Sequence, residues 1–177
     1  MKLYELCKTL VLEDVPNQNF DDLEHDRARE ETGYWGNQGS GALIISLSTG
    51  RILLPFRSKM VEEPHTWGGT WGGAIDSGED PKDSAKREVQ EESGYSGAVK
   101  MIPLNVYEDN KDNEFKYFNY MAVVPEEYKP RLNWETEKAE WFEYDSWPSP
   151  MHFGLTFILN DPQATAKIQY VASRNSQ

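Results

Sequence analysis

The 177-residue chain has 38% hydrophobic and 27% charged residues, the balance of one globular domain with a real core, which argues against wholesale disorder. Its formal net charge of -12 repels nucleic-acid phosphates at long range and argues against coating DNA or RNA; a small phosphorylated ligand stays open, because a bound divalent cation inverts the local sign. The single cysteine, Cys7, excludes an internal disulfide, and with no signal-peptide pattern or long apolar run the expectation is a cytoplasmic protein without a membrane partner.

In chain order, residues 1–38 are the least regular. "KLYELCKTLV" spaces Leu3, Leu6, Cys7 and Leu10 as a helix does, although a strand also fits. The polar, turn-rich stretch after it reads as loop with at most a short helix. "ALIISL" and "RILLPF", separated by "STG", are a hairpin signal with Gly50 in the turn. "SKMVEEPHTWGGTWGG" reads as a loop crowded with glycine. A helix is predicted from Pro81 to Ser93: Asp80 suits the N-cap, Pro81 the first turn, Asp83 the positive end of the dipole, and Gly94 the C-terminal cap. "VKMIPLNVY" and "KYFNYMAVV" flank the turn-like "EDNKDNE" and predict a second hairpin. "AEWFEYDSW" predicts a last short strand, and "FGLTFILN" and "ATAKIQYVA" a helical tail from Met151. Strands mixed with a few helices indicate a layered α/β or α+β domain.

The predicted helix carries an unusual feature. Glu88, Glu91 and Glu92 crowd onto it, although like charges at i,i+4 cost an isolated helix roughly 0.2–0.5 kcal/mol. An acidic run on a helix is ordinarily a solvated face. Here Ala85 and Val89 lie beside the acidic stripe and are small enough to seat the helix on a sheet, which puts the carboxylates at the rim of that contact. Clustered oxygen anions in such a place suit a hard cation such as Mg2+ or Mn2+.

The surrounding spacing is specific. Gly73, Glu79, Arg87-Glu88-Val89, Glu91-Glu92 and Gly94-Tyr95 fill every position of G-x5-E-x7-R-E-U-x-E-E-x-G-U, with U bulky and apolar and Tyr95 the loosest fit. Over residues 39–147 the chain therefore resembles the Nudix hydrolases. The resemblance implies an α/β fold: an α/β/α sandwich around a mixed β-sheet, with a catalytic loop–helix–loop. It implies one domain over 1–177, with an N-terminal extension (1–38) and a helical tail (148–177) around that core. The implied activity is hydrolysis of a nucleoside diphosphate linked to another group, using Mg2+ or Mn2+ and an activated water.

Carried over residue by residue, Glu88 and Glu92 resemble the principal metal ligands, with Glu91 completing the cluster and the backbone carbonyl of Gly72 a further ligand. Arg87 and Glu79 resemble the structural ion pair tying loop to helix; Arg87 is grouped with Glu88, Glu91 and Glu92 as catalytic. Gly72, Gly73, Trp71 and Arg57 are assigned to substrate binding, since paired glycines let backbone approach metal and phosphate. Trp67 or Trp71 can stack on a base, though core packing is the commoner fate of tryptophan. Trp71 stands where many relatives have proline and Asp76 where they often have glutamate; neither touches the metal positions. Related enzymes also draw a carboxylate from the loop before the last strand. In "LNWETEKAEWFEYD" Glu135 matches best by spacing and Glu137 second, with Glu140 expected on the strand itself.

His25, His65 and His152 show no zinc spacing, and "EDNKDNE" lacks the full EF-hand pattern. The alternative to an enzyme is a catalytically weak Nudix-fold nucleotide-binding or sensor module, against which the intact glutamates count. Candidate substrates are ADP-ribose, NADH, nucleoside triphosphates, dinucleoside polyphosphates and capped RNA ends. The expected partner is a small-molecule nucleotide, and a second copy of the chain is allowed.

Overall fold

The computed structural model describes residues 38–109 and 115–175. The expectations for residues 1–37 and for "NKDNE" lie outside the described residues. Continuous apolar runs, buried on both faces, build β1 (Gln38–Ser46) and β2 (Ile52–Arg57), joined in antiparallel register Ile44↔Leu53 through the left-handed Gly50 (φ 73°). β4 (Lys100–Asp109) and β5 (Phe115–Val124) form the second antiparallel pair. β6 (Thr136–Phe142) pairs with β2. β5 runs parallel to β1 along its whole length, from Gln38↔Lys116 to Ser46↔Val124. The sheet is therefore mixed, in the order β4-β5-β1-β2-β6.

One expectation is corrected. The stretch read as glycine-rich loop contains a strand, β3 (Trp71–Ala74), antiparallel to β1 with Gly41↔Gly72 and Ser40↔Gly73. Two glycines give it little strand propensity of its own; ladder hydrogen bonds to β1 hold it extended.

The two faces of the sheet follow from period-2 alternation. Ala42, Ile44, Leu53, Ala122 and Val124 point to one face, with Trp71 in the same cluster, and are covered by Ala85 and Val89 of α1 (Pro81–Ser93). Leu43, Ile45, Ile52, Leu54 and Met121 point to the other, covered by Leu155 and Ile158 of α2 (Phe153–Leu159) and Ala164, Ile168 and Val171 of α3 (Pro162–Ala172). Each large aliphatic side chain buried this way contributes about 1.5–3 kcal/mol. The result is an α/β/α sandwich.

Helix ends follow local chemistry. Asp80 accepts from the backbone N–H groups of Lys82 (2.9 Å) and Asp83 (3.4 Å), and Gly94 closes α1 at φ 71°. His152 caps α2 by accepting from Gly154 N–H at 3.0 Å, and Asp161 caps α3. Among the described residues no helix is long and apolar enough to cross a membrane.

Candidate active site

Among the described strands β3 pairs only with β1, so its second edge is open, and α1 packs against it. The acidic residues gather there. A Cβ at Gly73 would stand 3.2 Å from the Glu88 carboxylate, so glycine leaves the acid room beside the backbone. Gly72 donates its backbone N–H to Glu92. In an antiparallel strand the N–H and C=O of one residue point to the same side, so the Gly72 carbonyl also faces this edge.

The loop before β6 brings in Glu135. Its carboxyl hydrogen-bonds with that of Glu92. Its backbone is fixed by Ser58 N–H donating to Glu135 O at 2.8 Å and by Glu135 N–H donating to Asn133 Oδ1 at 3.1 Å. Glu137 is elsewhere: it is exposed and faces His65 Nδ1 at 3.5 Å. Glu140 lies on β6, bound to Lys138 at 3.1 Å.

Burial pushes the Glu88 carboxyl up to about 7; its side chain is 12% exposed, Arg87 opposes the shift, and Glu91 and Asp76 add to it. Glu92 is held well above the usual carboxylate range, first by burial, then by the charges of Glu135 and Glu88, with the Gly72 N–H opposing. Two buried acids that resist ionising mark a place short of positive charge.

Arg87 is a cation in contact with this group. It donates to Glu79 through Nε (3.0 Å) and Nη2 (2.9 Å), to Glu91 at 3.2 Å and to the Ala74 carbonyl at 3.2 Å, and it also pairs with Glu88. Burial alone would lower its pKa, but Glu79 and Glu88 outweigh that and hold it above its ordinary value. Glu79 is lowered, chiefly by the hydrogen bond from Arg87. The fork spans loop and helix, so the Arg87–Glu79 tie is formed.

The donor set is all oxygen: Glu88, Glu91, Glu92 and the Gly72 carbonyl, with Glu135 adjoining. It fits a hard divalent cation, and the glycine at position 73 keeps the approach clear. Among the described residues no three side chains already form a metal cage, and Arg87 engages Glu88 and Glu91 from one side.

One substrate-binding assignment reads differently in space. Trp71 is corrected to a core residue: it is fully buried and its Nε1–H donates to the Leu53 carbonyl at 3.1 Å, which leaves no ring face for a base. Trp67 is buried likewise, packed on Phe56 and Phe142. Arg57, at the end of β2, donates to the Glu62 carbonyl at 2.8 and 2.6 Å, and its charge acts on Tyr117 and His152. Sequence reasoning missed Tyr117 and Thr70, whose hydroxyls meet at 3.3 Å beside Gly72. Alternation along β5 puts Tyr117 on one face with Asn119 and Met121, but the parallel pairing that brings it to Gly39 has no local signal.

Known proteins share parts of this sequence and this fold. The NUDIX domain model matches residues 36–155, more than half of the chain. A Mycobacterium tuberculosis protein named provisionally as 8-oxo-dGTP diphosphatase 3 is 29% identical over 131 residues, 69% of this chain and 60% of that protein. The human diphosphoinositol polyphosphate phosphohydrolase 3-beta is 33% identical over 79 residues, 42% of this chain and 46% of that one. The chain thus matches less than two thirds of the length of these curated relatives. The crystal structure of a MutT NUDIX hydrolase from Burkholderia pseudomallei superposes with a TM-score of 0.57 at 27% identity, covering 71% of this chain and 96% of that one.

Proposed function

Because the chain belongs to the Nudix family, with the domain match running over residues 36–155, we propose that it is a metal-dependent pyrophosphohydrolase acting on a nucleoside diphosphate derivative in the cytoplasm. The observation that carries this is the meeting of Glu88, Glu92 and Glu135 at the open edge of β3, beside the Gly72 backbone. Nudix hydrolases generally use divalent ions such as Mg2+. Here Glu88, Glu91, Glu92 and the Gly72 carbonyl would hold the ion, which supplies polarisation of phosphoryl oxygen and a more acidic water.

The chain's own residues do the rest. The Gly72–Gly73 edge admits the diphosphate without a side chain in its path. Arg87 holds α1 against the loop and orients Glu88 and Glu91. Glu135 takes the proton of the attacking water; its hydrogen bond with Glu92 holds its carboxyl beside the residues that would bind the ion.

The test is a panel of ADP-ribose, NADH, nucleoside triphosphates including 8-oxo-dGTP, dinucleoside polyphosphates, capped RNA and a diphosphoinositol polyphosphate. Each is incubated with Mg2+ or Mn2+ and products are read by chromatography, for wild type, Glu92→Gln and Glu135→Gln. Expected are metal-dependent cleavage of a phosphoric anhydride, its near abolition in Glu92→Gln, and in Glu135→Gln a loss of kcat far larger than any change in KM with the acidic limb of the pH profile altered. Cleavage by Glu92→Gln at the wild-type rate with the same metal dependence overturns the reading.

A further inference from the structure

Tyr117 lies outside the Gly73–Tyr95 motif, yet the backbone around it is cleared of side chains. It stands level with Gly39 across the parallel β1–β5 ladder. A Cβ at Gly39 would come within 2.7 Å of its ring, and a Cβ at Gly41 or Gly72 would collide with its hydroxyl oxygen. The phenol therefore crosses β1 and ends against β3 at Gly72.

Gly72 and Gly73 turn opposite ways, as neighbours on a strand do. The side-chain direction of Gly73 faces the Glu88 carboxylate; that of Gly72 faces the Tyr117 hydroxyl. The glycine pair thus has carboxylates on one flank and a phenol on the other. Glu88, Glu92 and Arg57 are all close enough for their charges to act on the phenol.

The hydroxyl is paired with Thr70 Oγ1 at 3.3 Å, either being the donor. Two hydroxyls have two protons and use one between them, so one O–H remains to give. Among the described residues neither hydroxyl has a further partner. Burial, with help from the Glu92 and Glu88 charges, raises the phenol above its ordinary pKa against the opposing Thr70 bond and Arg57 charge, so it stays a neutral donor.

We propose that Tyr117, supported by Thr70, donates a hydrogen bond to the phosphoryl group of the substrate that is not attacked, and so sets how the diphosphate lies along the Gly72–Gly73 edge. This rests on the pyrophosphohydrolase reading above. A diphosphate with its reacting phosphorus at the glutamates extends its second phosphoryl group over this glycine pair. Tyr117 is then a substrate-positioning residue. Its contact is to a group that does not react, so it is made equally in the ground state and the transition state.

The test is steady-state kinetics of wild type, Tyr117→Phe and Thr70→Val on the best substrate of the panel, with melting temperature and the Mg2+ concentration for half-maximal rate measured on each. Phenylalanine keeps the ring in its cradle and removes only the hydroxyl. Expected is a rise in KM of about tenfold, the worth of one hydrogen bond to a charged group, with kcat within about twofold and both other readouts unchanged. Thr70→Val should shift KM in the same direction by less, and it carries the test if Tyr117→Phe does not fold. A tyrosine that merely propped the Gly72 backbone would lower kcat and raise the Mg2+ requirement, and that result overturns the proposal. So does an unchanged KM in an active Tyr117→Phe enzyme, which leaves the pyrophosphohydrolase reading standing. A wild type that cleaves nothing in the panel overturns both.

Discussion

Removing Arg87 probes the motif as a piece of structure. Its side chain is 24% exposed, against 20% for Glu79 and 12% for Glu88. That places the cluster between two regimes: exposed pairs contribute under about 1 kcal/mol, and breaking a buried pair on one side costs about 3–5 kcal/mol. Arg87→Ala loses a two-pronged bond to Glu79 at 3.0 and 2.9 Å and the 3.2 Å bond to the Ala74 carbonyl. It also takes a positive charge away from beside Glu79, Glu88 and Glu91. A cost of about 2–4 kcal/mol follows in the absence of divalent ions. For a domain of this size 1 kcal/mol moves the melting temperature by about 2–4 °C, so the melt should fall by roughly 5–15 °C. Glu79→Ala should cost less, since it also removes one of the crowded negative charges. Millimolar Mg2+ should recover part of the Arg87→Ala loss by replacing the missing positive charge. The assay is thermal unfolding by circular dichroism, in chelator and in Mg2+. Melting temperatures of Arg87→Ala and Glu79→Ala both equal to wild type would refute the tie and its energetics.

Three further outcomes are expected. Glu88 has a folded pKa of about 7 against 4.5 unfolded, so its contribution to metal-free stability is present below 4.5 and is lost as pH rises through 7; urea melts in chelator should show wild type losing roughly 3 kcal/mol relative to Glu88→Gln between pH 4.5 and 8, and a difference that is flat with pH sinks the assignment. His152 runs the other way, lowered from 6.5 to about 4, mainly by burial and then by the Arg57 charge, so its contribution is present above 6.5 and is lost as pH falls toward 4; His152→Asn, which can still cap α2, should remove about 3 kcal/mol of that acid sensitivity, and an unaltered acid limb would exclude it. Mg2+ at about a hundredfold over its dissociation constant should raise wild-type stability by about 2.7 kcal/mol, because the unfolded chain has no assembled site, whereas identical melts in chelator and in Mg2+ would contradict a metal site.

Some of this protein was decided within a few residues of sequence, and some only by distant segments meeting. The helix from Pro81 to Ser93 was legible to its ends, because its caps, Asp80 and Gly94, satisfy its terminal backbone groups locally. The two hairpins were legible for the same reason: apolar runs and the turn residues between them act at close range. The glutamates share one helical stripe, so their clustering was written in the spacing itself. By contrast, β3 carries two glycines and no alternation, and it is a strand because β1 supplies its partners. The sequence left Trp71 both a base-stacking and a core reading, and only the assembled packing, which buries it completely, decides for the core. Glu135 and Glu137 are near-equivalent acids in the chain; the register of β6 against β2, with its irregularity at Phe56/Arg57, aims one at Glu92 and the other at His65. Tyr117 reaches Gly72 only through the parallel β1–β5 pairing. Helix caps and turns close their hydrogen bonds over neighbouring residues and are specified where they stand, whereas strand partners and side-chain environments are contributed by remote segments and exist only once the sheet has assembled.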